Sequence, residues 1–472
     1  MGCVKHVSRT ENQHETAGDD RSGLHAVRCR IVAPTAVLIG CAPQGERHSM
    51  QEMVNSRRRQ LGLVLVGLAV LLWLGPPYRS TTAAENDGFV ISIGEAMWKK
   101  WGFRYPVTYV FRLSGVRRDA EVCRRDSTAR PWTTLPEKTS ADLFNGVECV
   151  RLNRDEARAY VSVGFGTSPT IHLKFTGVDA ASFDSVARYY DDRKAAYTLS
   201  NDNWGRRASA NPGAPWRGMT DDGSDSYQAS VHACRTYRIP VSIAINSRSA
   251  GGEAMWARMQ EELDRGDSSW EPAVHSRTHP CSGKAYAVAG YESEILGCRD
   301  DVLERLENVP YGQHAFEFIL PCGYEDAGVE RTCRGEFLLV RDWNTRDNPS
   351  SAGYLPWNVE QAYYGIGAYQ TKSYDAVMEL RDPKGRYYAG DVAALNEAFD
   401  GVYAQGGIFY AMWHADRYRN SVIYDTRPGI DGVQGSTLMQ HFAHVSGRRD
   451  VWCVANGWLY SYRYVAENAH VD

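Results

Sequence analysis

Two histidines four positions apart, His275 and His279 in the run His275-Ser276-Arg277-Thr278-His279, follow directly on a short apolar stretch at 273–275 that reads as a strand. An i, i+4 pair of imidazoles can share one face of a helical turn and converge on one ion. The same spacing also arises in pairs that only pack, so it is the strand exit that makes this pair a candidate. Carboxylates stand in two places. Asp221 and Asp222, in Thr220-Asp221-Asp222-Gly223, precede an amphipathic stretch at 226–237, where the alternative is a turn and helix cap. Asp202, in Asn201-Asp202-Asn203, ends the apolar run 195–200, and His414 ends the run Phe409-Tyr410-Ala411-Met412-Trp413.

Those residue types suit metal-assisted hydrolysis. A divalent ion on two imidazoles and a carboxylate keeps positions open for water and an acyl oxygen, and it acidifies the water. A further carboxylate can take the water proton while a histidine protonates the leaving group. A two-histidine, one-carboxylate set favours zinc, with cobalt or nickel as alternatives. Trp343, Trp413 and Tyr418, with Trp204 and Trp216, fall in expected loops or strand ends, where aromatic faces can stack on sugar rings; core packing is the competing role for each.

The elements that must position these residues change character along the chain. Between 85 and 191 apolar residues come in short β-rich runs, at 89–93, 106–113, 159–164 and 170–175, which predict a small all-β domain. From 192 to 472 strand-like runs alternate with amphipathic stretches: strands at 195–200, 241–246, 273–275, 316–320, 337–340, 408–413 and 451–454, and helices at 226–237, 253–263, 292–306, 392–403 and 438–445. Repeated βα units imply parallel strands and an α/β fold, a deformed (β/α) barrel with reactive groups at strand C-termini.

The order of the aspartate pair, helix, strand and histidine pair resembles polysaccharide deacetylases, carbohydrate esterase family four, with the NodB-homology fold, over roughly 193–468. The resemblance implies that Asp221 is the general base, Asp222, His275 and His279 the metal ligands, and His414 the general acid. It also implies that 449–460 is the closing strand. Two departures keep alternatives open. A Gly-, Pro- and Trp-bearing insertion separates the strand at 195–200 from Asp221, so Asp202 is an alternative ligand or base, with Asp221 and Asp222 then supporting. In Phe318-Ile319-Leu320-Pro321-Cys322-Gly323, Ile319 stands where the family has an arginine that braces the base; either Arg341 replaces it in space, or the base is weaker.

The formal charge of −4 in 472 residues offers no basic excess for a nucleic-acid backbone. Arg57, Arg58 and Arg59, an apolar run at 61–75 and Thr82-Ala83-Ala84 read as a signal peptide at 50–84, preceded by an extension at 1–49 outside the fold. The run is shorter than the ~20 residues of a membrane span, so a secreted or cell-envelope protein with no stable membrane span after signal cleavage is expected. Of 11 cysteines, Cys3, Cys29 and Cys41 precede the signal's end, leaving an even set that favours disulfides. Short separations suggest Cys123 with Cys149, Cys281 with Cys298 and Cys322 with Cys333, leaving Cys234 for Cys453; buried free thiols are the alternative. The expected activity is removal of acetyl groups, N-linked first, from an acetylated cell-envelope or extracellular polysaccharide. The rivals are a noncatalytic glycan-binding protein on the same fold and a metal-dependent amidase acting on small molecules.

Overall fold

Alternation of buried and half-buried residues makes strands of the first described segments, as in Phe89–Ser92 (β1). The computed structural model describes residues 88–139, 145–204, 235–249, 253–266, 269–343, 369–373, 379–381, 387–389, 392–413 and 437–472, all within one compact unit, Arg79–Asp472. The expected extension and signal peptide, Asp221, Asp222, His414, Tyr418, Trp216 and Cys234 lie outside the described residues. Trp204, Trp343 and Trp413 are described by their backbone alone.

After β1 come helix α1 (Glu95–Trp101) and strands β2 (Val107–Ser114), β3 (Glu121–Arg125), β4 (Thr133–Thr134), β5 (Cys149–Asn153), β6 (Arg158–Val163), β7 (Thr170–Thr176) and β8 (Ala180–Val186). They form two antiparallel sheets, one containing β1, β7, β3 and β4 in that order, the other β5, β6, β2 and β8. The sheets meet through aromatic rings: Phe111 lies 4.8 Å from Phe89 and 4.9 Å from Phe175 by ring centroids. The segment is thus a sandwich that also carries helix α1, where the sequence predicts strands only.

The alternating region follows as β9 (Ala195–Trp204), β10 (Val241–Ile245), α2 (Glu253–Asp264), β11 (Trp270–Val274), α3 (Gly283–Ala289), α4 (Tyr291–Arg305), β12 (Glu317–Ile319), α5 (Ala327–Cys333), β13 (Leu339–Trp343), β14 (Tyr369–Ser373), the antiparallel pair β15 (Glu379–Arg381) and β16 (Tyr387–Ala389), α6 (Val392–Gln405), β17 (Ile408–Trp413), α7 (Thr437–Ser446), β18 (Val451–Cys453), α8 (Asn456–Asn468) and β19 (His470–Val471). Strands β14, β13, β12, β11, β10, β9 and β17 lie side by side in that order, every neighbouring pair parallel. All of Val241–Ile245 and Trp270–Val274 is buried, as strands covered on both faces must be. The result is an α/β fold with a curled parallel half-barrel.

Strand β9 is the hub. β17 pairs along it from Ala196 to Asn201, β10 joins its C-terminal half, and β18 pairs with Ala195–Tyr197. The C-terminal stretch departs from the sequence reading: the strand stops at Cys453, and residues 456–468 are helix α8. The Asn456 and Gly457 backbone N–H groups donate to Ser242 Oγ (2.9 Å) and Glu271 Oε1 (2.6 Å), which supplies partners for two first-turn donors. A Cβ at Gly457 would lie 2.8 Å from Glu271 Oε2 and 2.9 Å from Phe316 Cβ, so a larger residue would push these neighbours aside.

Helix α8 is buried all round from Asn456 to Val465 because it sits between the sandwich and the barrel. Trp452 Nε1 donates to Tyr105 OH at 3.0 Å, the Tyr462 hydroxyl donates to Ala187 O at 2.8 Å, and Tyr105 stacks on Trp458. One apolar core runs from Phe89 and Phe111 through Trp458 to Ile408 and Tyr410. Beyond α8, β19 pairs antiparallel with β1, so the last residues complete the first sheet.

Candidate functional site

The histidine motif is not helical. Ser276 and His279 both adopt left-handed backbone (φ 65° and 64°), which stops a helical turn and folds the segment into a tight loop. Convergence of the two imidazoles, expected from helical spacing, comes instead from this loop, with ring centroids 4.8 Å apart. Neighbours hold it at nearly every residue. The Asn246 amide donates to the His275 and Ser276 carbonyls, and Ser276 Oγ accepts from the His279 N–H at 3.0 Å. Arg277 grips Asp301 with two nitrogens, at 2.8 and 2.5 Å, while Ser247 Oγ donates to the same carboxylate. The Thr278 N–H and hydroxyl both donate to Glu294, each at 2.8 Å. Helix α4, which carries Glu294 and Asp301, is therefore the support of the motif.

His275 is 2% exposed, and its Nδ1 lies 2.8 Å from the Ile319 carbonyl oxygen. A carbonyl only accepts, so Nδ1 carries the proton and Nε2 is left with its lone pair, the tautomer of a metal-ligating imidazole oriented by a carbonyl. His279 turns Nδ1 toward the sulfurs of Cys281 (3.4 Å) and Cys322 (4.0 Å). The donor chemistry of the pair fits a borderline ion such as zinc. Ile319, the departure from the family pattern, thus contributes through its backbone.

Asp202 lies near the end of β9 and is 5% exposed. Val274 is level with Ile245 and Ile245 with Trp204, so His275 emerges at the rim that Asp202 approaches. Ser200 Oγ donates to Asp202 at 3.1 Å, and the Arg341 guanidinium from β13 donates to the same carboxylate oxygen. Arg341 is 1% exposed. Burial works against its charge, but Asp202 and then Glu317 more than offset this and raise its pKa. Arg341, the residue named as a spatial replacement for the missing arginine, reaches the strand-end aspartate Asp202.

Behind Arg341 lies a buried polar chain with no counterpart in the sequence reading. Arg341 Nε is 3.8 Å from Glu317 Oε1, which accepts from the Asn456 amide at 2.9 Å; Ser242 Oγ donates to Glu271 at 2.7 Å. Burial raises the Glu317 pKa to about 7 against the pull of Arg341. Burial, then the charge of Glu317, raises that of Glu271 to about 8. The available signal was a glutamate inside each of two apolar strands, Trp270-Glu271-Pro272 and Phe316-Glu317-Phe318.

The cysteines pair differently from expectation. Cys281 and Cys322 form a disulfide between the loops that follow β11 and β12, with Cα atoms 5.4 Å apart. Cys123, Cys149, Cys298, Cys333 and Cys453 are free. Cys123 and Cys149 belong to different sheets, Cys298 donates from the middle of α4 to the Ile245 carbonyl, and Cys333 is buried in the core around Phe318. Among the described residues no helix is long and apolar enough to cross a membrane.

The catalytic and ligand roles expected of Asp221, Asp222 and His414, and the sugar contact expected of Tyr418, fall outside the described residues. At Trp413 the backbone pairs with Asn201, and at Trp343 with Ser373. No family profile and no curated protein matches the chain. Among solved structures it is similar to a protein of Mycobacterium smegmatis assigned as a polysaccharide deacetylase, with 16% identity, 60% of this chain and 93% of that one covered, and a TM-score of 0.39. It is also similar to a family 4 carbohydrate esterase from Streptomyces lividans solved with acetate (12% identity, 55% and 91% covered, TM-score 0.29). A third is a family 4 carbohydrate esterase pseudoenzyme from Bacillus anthracis (11% identity, 48% and 66% covered, TM-score 0.24).

Proposed function

We propose that this chain is an exported, metal-dependent deacetylase that removes acetyl groups, N-linked first, from a cell-envelope or extracellular polysaccharide. The observation that carries the reading is the placement of the Arg341-braced Asp202 and the tautomer-fixed His275, with His279 beside it, at one rim of a parallel sheet. The segment at 57–84, with its basic, apolar and small residues in that order, supports export.

His275 and His279 would hold the ion, zinc first, with a carboxylate as third ligand. A bound divalent ion supplies Lewis acidity that polarises an acyl oxygen and acidifies water. Asp202, aimed by Arg341, takes the proton of the attacking water, and Asp221 and Asp222 are left for the ligand role. His414 protonates the departing amine. The assignment moves the base role from Asp221, where the resemblance implies it, to Asp202, and the Arg341 contact is the reason.

Metal analysis and acetate release from acetylated chitin-type and peptidoglycan-type oligomers test the reading. About one ion per chain is expected, lost when His275 and His279 are both replaced by alanine. Stoichiometric metal surviving that change overturns the site. A full metal site with no acetate released from any glycan overturns the activity in favour of a binding protein.

A further inference from the structure

The loops after β11 and β12 bring a third set of donors together at the outer side of the histidine motif. His279 Nδ1 stands 3.4 Å from Cys281 Sγ and 4.0 Å from Cys322 Sγ, and both cysteines are exposed while His279 is half-buried. We propose that reduction of the Cys281–Cys322 disulfide opens a second metal site, in which the two thiolates and His279 Nδ1 take a thiophilic divalent ion. This site shares His279 with the proposed acetyl-removal site, on whose reading it rests only for that residue, and uses neither His275 nor any aspartate.

The geometry is nearly assembled. A tetrahedral ion with metal–sulfur bonds of about 2.3 Å and metal–nitrogen bonds of about 2.0 Å requires nitrogen and sulfur about 3.5 Å apart, and two sulfurs about 3.8 Å apart. The nitrogen–sulfur separations already bracket that value. Only the sulfurs must part, and cleavage of their bond permits this. Three protein ligands leave a fourth position for water.

The loops do not depend on the disulfide to meet. Val274 and Phe318 are paired in adjacent strands, His275 Nδ1 donates to Ile319 O at 2.8 Å, and Ser282 caps α3 just beyond Cys281. Reduction therefore leaves the thiols near each other and near His279. The chemistry balances with a dithiol reductant: its thiolate attacks one cysteine sulfur, the other cysteine leaves, and the second reductant thiol closes the reductant's own disulfide. Two electrons and two protons pass to Cys281 and Cys322, and ion binding then releases the thiol protons.

Cobalt(II) is the probe, because thiolate ligands give it a near-ultraviolet charge-transfer band that nitrogen and oxygen ligands do not. The full chain is loaded with cobalt as isolated and, anaerobically, after reduction by a phosphine and desalting. The band is expected only after reduction. It should persist in His275→Ala and vanish in His279→Ala, in Cys281→Ser and in Cys322→Ser. The other cysteines of the chain are present in both samples and serve as background, and circular dichroism reports whether the reduced chain stays folded. No band after thiol counting has shown two new thiols overturns the proposal. So does a band of equal strength before reduction or in Cys281→Ser, or one that grows only as the dichroism is lost. Failure of acetate release by the unreduced chain, with the band present after reduction, would count against the deacetylase reading alone.

Discussion

Arg341 and Asp202 meet inside the half-barrel although β12, β11 and β10 lie between their strands in the sheet. A flat sheet would hold β13 and β9 roughly 19 Å apart, at about 4.8 Å per strand, so the pair is a chord across the curl. It also connects the rim that carries the histidine motif to Glu317, Asn456 and the N-terminus of α8.

Removing one partner of a buried ion pair leaves an uncompensated charge, which costs about 3–5 kcal/mol. Arg341→Met should destabilise by that order, because it strands both Asp202 and Glu317. Asp202→Asn should cost less, since Glu317 remains near Arg341. Urea unfolding of both single variants and the double variant should show coupling of about 1 kcal/mol or more; simple additivity would remove the pair from the account.

Asp202→Asn should leave metal bound and lower acetate release by about 10²-fold or more, as expected for loss of a general base. Asp222→Asn should weaken metal binding instead. If Asp202→Asn empties the site of metal, Asp202 is a ligand and the base must be sought at Asp221.

Glu294 accepts both donors of Thr278, and a glutamine can accept with one of its two terminal atoms only. Glu294→Gln should therefore loosen the loop and weaken metal binding about 10–100-fold, with the far-ultraviolet spectrum unchanged. Unaltered affinity by competitive titration would show that the loop holds the histidines without α4.

Glu271 has a folded pKa of about 8 against an ordinary 4.5, because burial and the charge of Glu317 disfavour ionisation. Between those values the folded state binds more protons than the unfolded state, so stability falls as pH rises from about 4.5 through about 8. Glu271→Gln should flatten that slope in part, since Glu317 titrates in the same sense. Equal slopes in the two proteins, from denaturation midpoints at several pH values, would count against a buried ionising Glu271.

Alkylation of denatured, unreduced protein followed by peptide mapping should find Cys281 and Cys322 protected and Cys123, Cys149, Cys298, Cys333 and Cys453 labelled. Protection at Cys298 or Cys333 would restore the pairing by short separation.

The sequence by itself determined what depends on local pattern. Apolar runs bounded by polar turns located β9, β10 and β17, and helical periodicity located α4, α6 and α7, because burial of one face or of both is written in residue order. The residue types and spacing of the histidine motif raised the expectation of a metal site. Tertiary structure decided everything that rests on curvature and on contacts distant in sequence. The left-handed turns at Ser276 and His279 are held by Asn246, Glu294 and Asp301, which no i, i+4 rule contains. Cys281 found Cys322 rather than a nearer cysteine because β11 and β12 are adjacent strands. Arg341 found Asp202 because a twisted parallel sheet curls until its inward side chains meet, a distance that the chain's linear order does not encode.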